Sequence, residues 1–364
     1  MKSSRGIKVA ALASTLAVGG AERQLAALAR GLRKRGYEFS FFLWRDAGAV
    51  GRELRGDGFG VAEKIAARPA RWLGLVAELR AYNLLLALDH NNVLTLLPAF
   101  SRRLPAYVVL YHLQGGPPGR WRNALRRARA VVAVAASQLE PLRKAGIISA
   151  RLVVNGVAVP APVGPADRRR AREDLGVAAD ATVAAVVSRL SREKGVDVLL
   201  TAAALLERGD RPWLLIAGDG PERGRLEALA RGEYAGRYTF LGELDDVSPV
   251  YRAADFFVLP SRRESAPLAL LEAMAHGLAA AAAAAGDVPA ILAGGVGLTF
   301  TPGSPVELAR AMKTLTAEPA KRAAMGALAR AAVAGRYDVD RMLDEYDALF
   351  NKVSEGALDG TGDG

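Results

Sequence analysis

Two carboxylates stand eight residues apart in a segment that could bind hydroxyl groups. Glu264 and Glu272 follow the apolar run Phe256–Pro260, which predicts a strand, and they bracket the start of a predicted helix. The spacing places Glu264 at a loop tip and Glu272 about two turns up that helix. Carboxylates accept hydrogen bonds from vicinal hydroxyls, so the pair suits a sugar ring and a ribose. Acids near a helix start also simply suit the helix dipole, and both interpretations stay open.

Two cations follow another predicted strand, Thr182–Ser188. Arg189 and Lys194 lie in the loop SRLSREKG, which leads into a predicted helix. Open α/β sheets bind ligands beyond the carboxyl ends of their strands. A guanidinium fork and a mobile ammonium suit two adjacent phosphates. A solvated charged loop would explain the same residues without any ligand.

A glycine pair precedes the first predicted helix, residues 21–35. Gly19 and Gly20 lack a Cβ, so a ligand can approach the backbone there, and the helix start offers N–H groups to a diphosphate. A plain tight turn is the alternative. The segment has neither the Gly-Lys-Ser/Thr of a phosphate-binding loop nor the G-x-G-x-x-G of dinucleotide sites.

Histidine occurs three times. His112 and His90 each follow a predicted strand, a position from which either side chain could contact a bound ligand. His276 lies near a helix end, where a cation suits the dipole, so a structural role is expected. Because no cluster of ligands has metal-binding spacing, we predict no metal site.

Short apolar runs alternate with helical patterns along the chain, which predicts parallel sheets covered by helices. In the first half the predicted strands are Ile7–Ala13, Phe39–Trp44, Leu84–Leu88, Tyr107–Leu110 and Val131–Val134. Residues 157–170 contain three prolines and a charge run, and predict a linker. We therefore expect domains at 1–160 and 171–335, a last helix at 336–352 and a disordered tail at 353–364.

Composition limits the protein class. A chain of 364 residues, 51% hydrophobic and 24% charged, is typical of two globular domains. It has no cysteine, which excludes disulfides and thiolate metal sites and agrees with a cytoplasmic location. No apolar run is long enough for a transmembrane helix, and the amino-terminal run is interpreted as a strand, not as a signal peptide. Residues 1–160 include 25 basic and 9 acidic residues, a net charge of +16. Because the whole chain has a net charge of +11, the remaining residues have a net charge of −5.

These motifs, taken in order, resemble family 4 glycosyltransferases of the GT-B fold. The resemblance covers about residues 7–350 and is carried by a series of short motifs: Gly19-Gly20, Asn155-Gly156-Val157, Ser188-Arg-Leu-x3-Lys-Gly195, Gly218-Asp-Gly-Pro-Glu222, Leu241-Gly242 and Glu264-x7-Glu272, the last followed by Ala-Met-Ala-x-Gly277. It implies an α/β protein with two Rossmann-like domains facing across a cleft. It also implies that the last helix crosses back to the first domain.

The resemblance further implies roles in a retaining, metal-independent hexosyl transfer. Arg189 and Lys194 would bind the donor diphosphate, and Gly20 would support it from the first domain. Glu264 would contact sugar hydroxyls, with His112 near the reacting sugar, and His90 could contact acceptor or donor. Glu272 would bind the ribose, and the loop at Leu244 would hold the base. The remaining donor-site residues would be Gly19, Gly218, Ser265, Ala266, Pro267 and Leu268. No cofactor is expected, because the nucleotide-sugar donor is a substrate.

The sequence departs from the family pattern after Gly277. Seven alanines, Ala279–Ala285, replace large β-branched residues, and alanine is a poor strand former, so either a thin strand or a longer helix is expected. Ala290 stands where the family has a loop acid. Ser265 and Ala266 replace a usual glycine or larger residue. These changes leave the choice of donor open.

The cationic first half indicates an anionic partner. Arg120–Arg129 reads as a basic helix containing Trp121, and residues 67–72 repeat the combination. We expect a glycan or lipid-linked acceptor in surface polysaccharide or glycolipid synthesis, and peripheral contact with the inner face of an anionic membrane. A solvated arginine-rich face is the alternative. No nucleic-acid motif is present, so a basic nucleic-acid-binding protein is the weaker alternative. The other alternative is a GT-B sugar-nucleotide enzyme or binding protein without transferase activity. For the transferase, the expected donor is a UDP-sugar.

Overall fold

A computed structural model describes residues 6–65, 71–88, 91–94, 97, 103–234 and 237–356. They form two compact units. Unit 1 is the described part of residues 1–156 and 339–364, and unit 2 is Val157–Asp338. The chain therefore passes from unit 1 into unit 2 after Gly156, four residues before the predicted end of the first domain at residue 160.

Unit 1 alternates strands with helices. Its strands are β1 Lys8–Ala13, β2 Glu38–Leu43, β3 Gly60–Ala62, β4 Leu84–Leu88, β5 Tyr107–Tyr111, β6 Ala130–Ala133 and β7 Ala150–Leu152. Its helices are α1 Gly20–Arg33, α2 Gly48–Gly56, α3 Arg71–Leu79, α4 Asn91–Leu94, α5 Arg122–Arg127 and α6 Leu139–Lys144. Two 3₁₀ turns, Gly119–Trp121 and Ala136–Gln138, directly precede α5 and α6.

The unit 1 sheet is parallel, in the order β3-β2-β1-β4-β5-β6-β7. Alternate residues of β1 enter two cores on opposite faces, Val9 and Ala11 on one and Ala10 and Leu12 on the other. Apolar runs without alternation are what a sheet buried on both faces requires. The five predicted strands are confirmed to within about a residue. β3 and β7 were missed because they are three residues long and partly exposed.

The last helix, α15, completes unit 1. It spans Val339–Ser354 and packs against α1 and β4 with one buried apolar face, formed by Met342, Leu343, Tyr346, Leu349, Phe350 and Val353. The ring of Phe350 meets that of Tyr37 edge-on, with 6.1 Å between centroids. The Tyr37 hydroxyl donates to Asp347 Oδ1 at 2.6 Å. The return of this helix to the first domain is confirmed. Its predicted bounds, 336–352, were wrong at both ends.

The predicted tail, 353–364, was therefore wrong at its start. Val353 and Ser354 are helical, because Val353 is buried in the unit 1 core. Residues 357–364 lie outside the described residues.

Unit 2 repeats the alternation. Its strands are β8 Val183–Val187, β9 Trp213–Ala217, β10 Tyr238–Gly242, β11 Phe256–Leu259, β12 Ala279–Ala283 and β13 Gly297–Phe300. Its helices are α7 Pro165–Asp174, α8 Val196–Leu205, α9 Arg223–Glu233, α10 Ser248–Ala253, α11 Leu268–Ala275, α12 Val288–Ile291, α13 Pro305–Ala317 and α14 Pro319–Arg336. The 3₁₀ turns Arg192–Lys194 and Arg208–Asp210 complete it. The parallel sheet has the order β10-β9-β8-β11-β12-β13.

The alanine run forms β12, a fully buried strand between β11 and β13. Of the two expected alternatives, the longer helix was wrong, since α11 ends at Ala275. α14 packs on this strand, and its Gly326 permits a close approach just before it: a Cβ there would lie 2.1 Å from the Gly277 carbonyl oxygen. Ladder hydrogen bonds on both sides thus outweigh the weak strand propensity of alanine.

The predicted linker, 157–170, is only partly irregular. Pro165 opens α7 at its first turn, a position that proline favours, so the charge run Arg168–Arg170 is helical. Arg168 and Arg172 of this helix pair with Asp255, at 2.5 and 2.8 Å. The ion pairs fix the helix to unit 2.

Candidate active site

The unit 2 sheet changes its winding direction between β8 and β11. These two neighbours pair in parallel, and the strands that follow each of them add to opposite sides of the sheet. Loops that leave the carboxyl ends of two such strands diverge and leave a crevice, which is where open α/β sheets bind ligands. The loops containing Lys194 and Glu264 leave these two strands.

Lys194 and Glu264 meet directly. The Lys194 ammonium donates to Glu264 Oε1 at 2.6 Å, and the Ser261 hydroxyl donates to the same oxygen at 2.7 Å. The Glu264 side chain is 9% exposed and that of Lys194 is 26% exposed. A nearly buried carboxylate is thus held next to a partly exposed cation, and charge-assisted hydrogen bonds of this kind are the stronger class.

A second ion pair fastens the two loops together. Arg262 donates two hydrogen bonds to Asp197, each 2.8 Å, and a third to the Arg192 carbonyl at 2.8 Å. Burial raises the pKa of Asp197, but the hydrogen bonds and charge of Arg262 outweigh that effect and hold the pKa below its ordinary value. The hydrogen bonds that Arg262 donates to Asp197 likewise raise the pKa of Arg262. The forked pair fixes the 3₁₀ turn containing Lys194.

Two glycines permit close backbone approach at this edge of the sheet. At Gly286, φ is +56°, and a Cβ there would lie 2.1 Å from the Glu264 carbonyl oxygen. At Gly218, φ is +125°, and a Cβ would lie 1.9 Å from the Ser188 carbonyl oxygen. Only glycine fits both the conformation and the space. Gly218 thus packs the loop after β9 onto the loop that contains Arg189.

Glu272 lies on α11, the helix that follows the Glu264 loop. Its Oε2 accepts a hydrogen bond from the Tyr251 hydroxyl at 2.9 Å, and its carbonyl oxygen accepts one from His276 Nδ1 at 2.8 Å. Burial lowers the pKa of His276, so the ring is neutral near pH 7. The structural role expected for His276 is present, but the neutral ring adds no charge to the helix dipole.

The other predicted unit 2 residues line the same edge of the sheet. Arg189 is exposed, and its side chain makes no hydrogen bond or ion pair with any residue in the described part of the chain. The segment Ser265–Leu268 enters α11, with Pro267 as the residue before its first turn. Leu244 is half-buried in the loop after β10.

The remaining candidates belong to unit 1. Gly19 precedes α1 and Gly20 is its first residue, so the helix begins one residue earlier than predicted. His112 directly follows β5 and is half-buried. Its loop is held by Gln138, whose amide donates to the Leu113 carbonyl at 3.0 Å. His90 lies outside the described residues. The roles of these residues stay predictions.

Several supporting residues were missed from sequence. Ser261, Asp197 and Tyr251 each bond to a candidate residue or to its loop, but their types are too common to stand out. Gly286 could have been found from the sequence, since a glycine shortly after the carboxyl end of a buried apolar run can mark a place where the backbone packs closely. These partners are distant in sequence and become visible only through strand pairing.

The predicted basic helix at Arg120–Arg129 was wrong in form. Gly119–Trp121 is a 3₁₀ turn, α5 covers only Arg122–Arg127, and β6 begins at Ala130. Trp121 is 3% exposed, packed in the second unit 1 core. The ring is therefore not available to a membrane surface, whereas Arg122 is exposed.

Neither a membrane-spanning helix nor a metal-binding cluster is present among the described residues. They contain no helix that combines the length and apolarity needed to cross a membrane. They also contain no group of three or more histidine, cysteine, aspartate or glutamate side chains arranged to hold a metal ion.

Two family models match the chain. Residues 18–159 match the family described as Glycosyltransferase Family 4, and residues 167–332 match Glycosyl transferases group 1. D-inositol 3-phosphate glycosyltransferase of Mycolicibacterium paratuberculosis is 35% identical over 199 residues, 52% of this chain and 44% of that protein. Sulfoquinovosyl transferase SQD2 of Arabidopsis thaliana is 33% identical over 150 residues, 40% of this chain and 28% of that protein. The matches span less than half the length of these curated relatives.

A solved structure extends the likeness to nearly the whole chain. HepE of Anabaena, in complex with UDP-glucose, superimposes with a TM-score of 0.84 at 24% identity and covers 95% of this chain and 100% of that one. At this identity the likeness establishes the fold, two parallel sheets of the GT-B type. Together the matches to both halves and this fold show that the chain belongs to the family 4, group 1 glycosyltransferases.

Proposed function

We propose that this protein is a retaining glycosyltransferase that moves a sugar from a nucleotide-diphosphate sugar to a hydroxyl acceptor. The observation that carries the proposal is the contact between the Lys194 ammonium and the buried Glu264 carboxylate at the switch point of the unit 2 sheet. In the proposed site, a cation that suits phosphate lies beside an anion that suits hydroxyl groups. A donor with a diphosphate next to a sugar presents these two groups side by side.

The cations of this edge suit the diphosphate. An ammonium has three donors, and the bond to Glu264 uses one of them, which leaves two for phosphate oxygens. Arg189 is exposed on the same loop and adds a guanidinium fork. The amides at the start of α11 add N–H donors. Fixed positive charge thus surrounds the group that must leave.

The proposed reaction breaks the bond between the anomeric carbon and the diphosphate oxygen. The electron pair leaves with the diphosphate, where Arg189 and Lys194 stabilise the developing charge. The acceptor oxygen bonds to the anomeric carbon on the face the diphosphate leaves, so configuration is retained. The acceptor proton passes to a phosphate oxygen of the leaving group. Glu264 positions the sugar through its hydroxyls, and no cofactor or metal ion takes part.

The donor we propose is a UDP-sugar. Supporting it, HepE, which shares the fold, was solved with UDP-glucose. In this chain Glu272, held by Tyr251, would accept from the ribose hydroxyls, and the loop at Leu244 would hold the base. Unit 1 would contribute Gly19, Gly20 and His112.

A thermal-shift panel of UDP-, GDP- and ADP-sugars tests the donor. A ligand at about 100 times its dissociation constant stabilises by roughly 2.7 kcal/mol. We expect a shift with a UDP-sugar that is lost in Lys194→Ala. The absence of any shift across the panel would contradict the proposal. Turnover unchanged by EDTA would support the metal-independent reaction.

The acceptor we propose is a glycan or lipid-linked sugar used in surface polysaccharide or glycolipid synthesis. The +16 balance of residues 1–160 supports an anionic acceptor or a cytoplasmic membrane surface. Sedimentation with phosphatidylglycerol vesicles at low salt tests this. We expect binding that falls with salt and weakens in Arg122→Glu. Equal recovery with neutral vesicles would count against it.

A second candidate function is sugar-nucleotide binding without transfer. It is motivated by the altered residues near the donor site, Ser265, Ala266 and Ala290. Because β12 is fully formed, the alanine run itself does not favour this alternative. Donor hydrolysis and transfer assays on protein that gives a thermal shift separate the two functions.

A further inference from the structure

Unit 2 contains a cavity of about 410 Å³ at the amino-terminal edge of its sheet. Asp255 and Leu278, which directly precede β11 and β12, both line it. Lys194 and Glu264 follow the opposite, carboxyl ends of the strands and are not among the lining residues. The cavity is therefore separate from the proposed donor site. Its volume suits a small molecule.

The cavity wall carries an excess of positive charge. Its lining contains four arginines and one carboxylate: Arg168, Arg252, Arg322, Arg330 and Asp255. Two further charged groups act nearby. Buried Arg172 pairs with Asp255 from behind the wall, and Asp246 influences His276. Five arginines thus face two aspartates, which leaves about three positive charges uncompensated.

Asp255 cannot neutralise the wall. Its carboxylate already accepts from Arg168, Arg172 and, at 3.4 Å, Arg322. It also accepts from the Val183 amide at 2.7 Å. One negative charge is therefore shared among three guanidinium groups in a partly buried setting, where screening by solvent is reduced.

Two arginines of the wall form no ion pair with a carboxylate in the described part of the chain. Arg330 donates to the carbonyl oxygens of Ala275 and Pro160, which orients the guanidinium without cancelling its charge. Arg252 is exposed and makes no side-chain hydrogen bond or ion pair with the described residues. Asp246 acts on Arg252 through charge alone, so both guanidinium groups keep hydrogen-bond donors for a ligand.

His276 adds a neutral polar group to the wall. Nδ1 donates to the Glu272 carbonyl, so Nε2 of the neutral ring is an acceptor. Nε2 is buried and has no hydrogen-bond partner among the described residues. Burial first, and then the charges of Arg252 and Arg330, lower the pKa of this ring. The histidine is therefore influenced by the positive field of the wall and does not add to it.

We propose that this cavity binds a phosphorylated small molecule with at least two negative charges. Guanidinium groups bind phosphate oxygens in pairs, and the wall supplies several of them around one small volume. The inference does not depend on the proposed glycosyl transfer, because no donor-site cation lines the cavity.

Calorimetric titration with sodium tripolyphosphate at low salt tests the proposal. All proteins carry Arg189→Ala and Lys194→Ala, so that phosphate binding at the donor site is removed. In that background we expect one binding site, whose dissociation constant rises at least tenfold on adding Arg252→Ala. Arg231→Ala is the matched control, an exposed arginine in the last turn of α9, as Arg252 is in the last turn of α10. It should change the constant less than twofold.

A second experiment distinguishes a lipid headgroup from a soluble phosphate compound. If the protein floats with phosphatidylglycerol vesicles, and if this binding weakens in Arg252→Ala but not in Arg231→Ala, the ligand is a lipid headgroup. If the protein binds tripolyphosphate but not the vesicles, the ligand is a soluble phosphate compound. Circular dichroism confirms that each variant is folded. No tripolyphosphate or vesicle binding, or equal loss in both variants, would overturn the proposal.

Discussion

At the scale of the residue, Lys194 bears most of the proposed chemistry. It is the cation in direct contact with the buried carboxylate Glu264, and two of its ammonium donors remain for the leaving diphosphate. The contact also explains how a mobile side chain is held in one place. Preorganised donors of this kind stabilise developing charge without reorganisation during the reaction.

We expect Lys194→Ala to lower turnover by about 10²–10³-fold while the fold survives, the usual effect of removing one preorganised donor. Steady-state transfer to acceptor measures it. Lys313→Ala is the control, since Lys313 is an exposed lysine of unit 2 that pairs with Asp210 at 3.2 Å. Turnover of the Lys194 variant within a few-fold of the control would remove this residue from the mechanism.

The ion pair between Asp197 and Arg262 predicts a pH dependence of stability. The pKa of Asp197 in the folded protein lies below its ordinary value of 3.8, so the folded carboxylate releases its proton more readily than the unfolded one. Its stabilising contribution is then fully present above about pH 5, and it disappears as the pH falls through the folded pKa.

Urea unfolding of wild type and Asp197→Asn at several pH values measures this contribution. We expect the variant to be less stable from pH 7 to about pH 5, with a difference that shrinks below about pH 4. Asp180→Asn, an exposed carboxyl of the same unit, should change stability by less than about 0.5 kcal/mol. A difference for Asp197→Asn that grows on acidification would contradict the assignment.

At the scale of the element, the loop after β12 positions Glu264. Gly286 stands at the end of the alanine strand, and its missing Cβ leaves room for the Glu264 carbonyl. The absence of a side chain at this position therefore lets the Glu264 loop pack directly on the loop after β12.

We expect Gly286→Ala to displace the Glu264 loop and lower turnover by about 10²-fold, since a shift near 1 Å at reacting groups has that effect. Gly294→Ala is a matched control. Gly294 has φ +81°, so alanine meets comparable backbone strain, but its Cβ would touch nothing within 4 Å. Both variants should lose about 1–2 kcal/mol of stability from strain. Equal turnover in the two would show that the clash with Glu264 has no functional effect.

At the scale of the whole molecule, the chain enters unit 2 after residue 156 and returns at residue 339. α15 therefore supplies part of the unit 1 core from the far end of the sequence. Its Phe350 is fully buried, between the rings of Tyr37 and Tyr346.

We expect Phe350→Ala to lower the free energy of unfolding by about 3–5 kcal/mol, the usual cost of deleting a buried ring. Urea unfolding measures the total. Hydrogen exchange locates the effect, with faster exchange expected in α1 and β4. Leu328→Ala, at a half-exposed leucine of α14, is the control. Loss of protection in unit 2 instead would show that this helix does not belong to the unit 1 core.

The sequence by itself determined the long buried strands, the helices between them and the order of the motifs, because buried parallel strands require unbroken apolar runs and helix starts have local signals. It also determined that Arg189, Lys194, Glu264 and Glu272 follow strands at the same kind of position. That much can be read from neighbours along the chain.

Only the tertiary structure decided which of these residues meet. The bond between Lys194 and Glu264 joins residues 70 apart, and the pair of Arg262 and Asp197 joins residues 65 apart. Both depend on β8 lying beside β11, a pairing set by the packing of the whole sheet. Packing against distant parts of the chain also explains why the alanine run forms a strand and why Trp121 is buried. Local propensity and composition indicated otherwise, and packing with distant elements outweighed them.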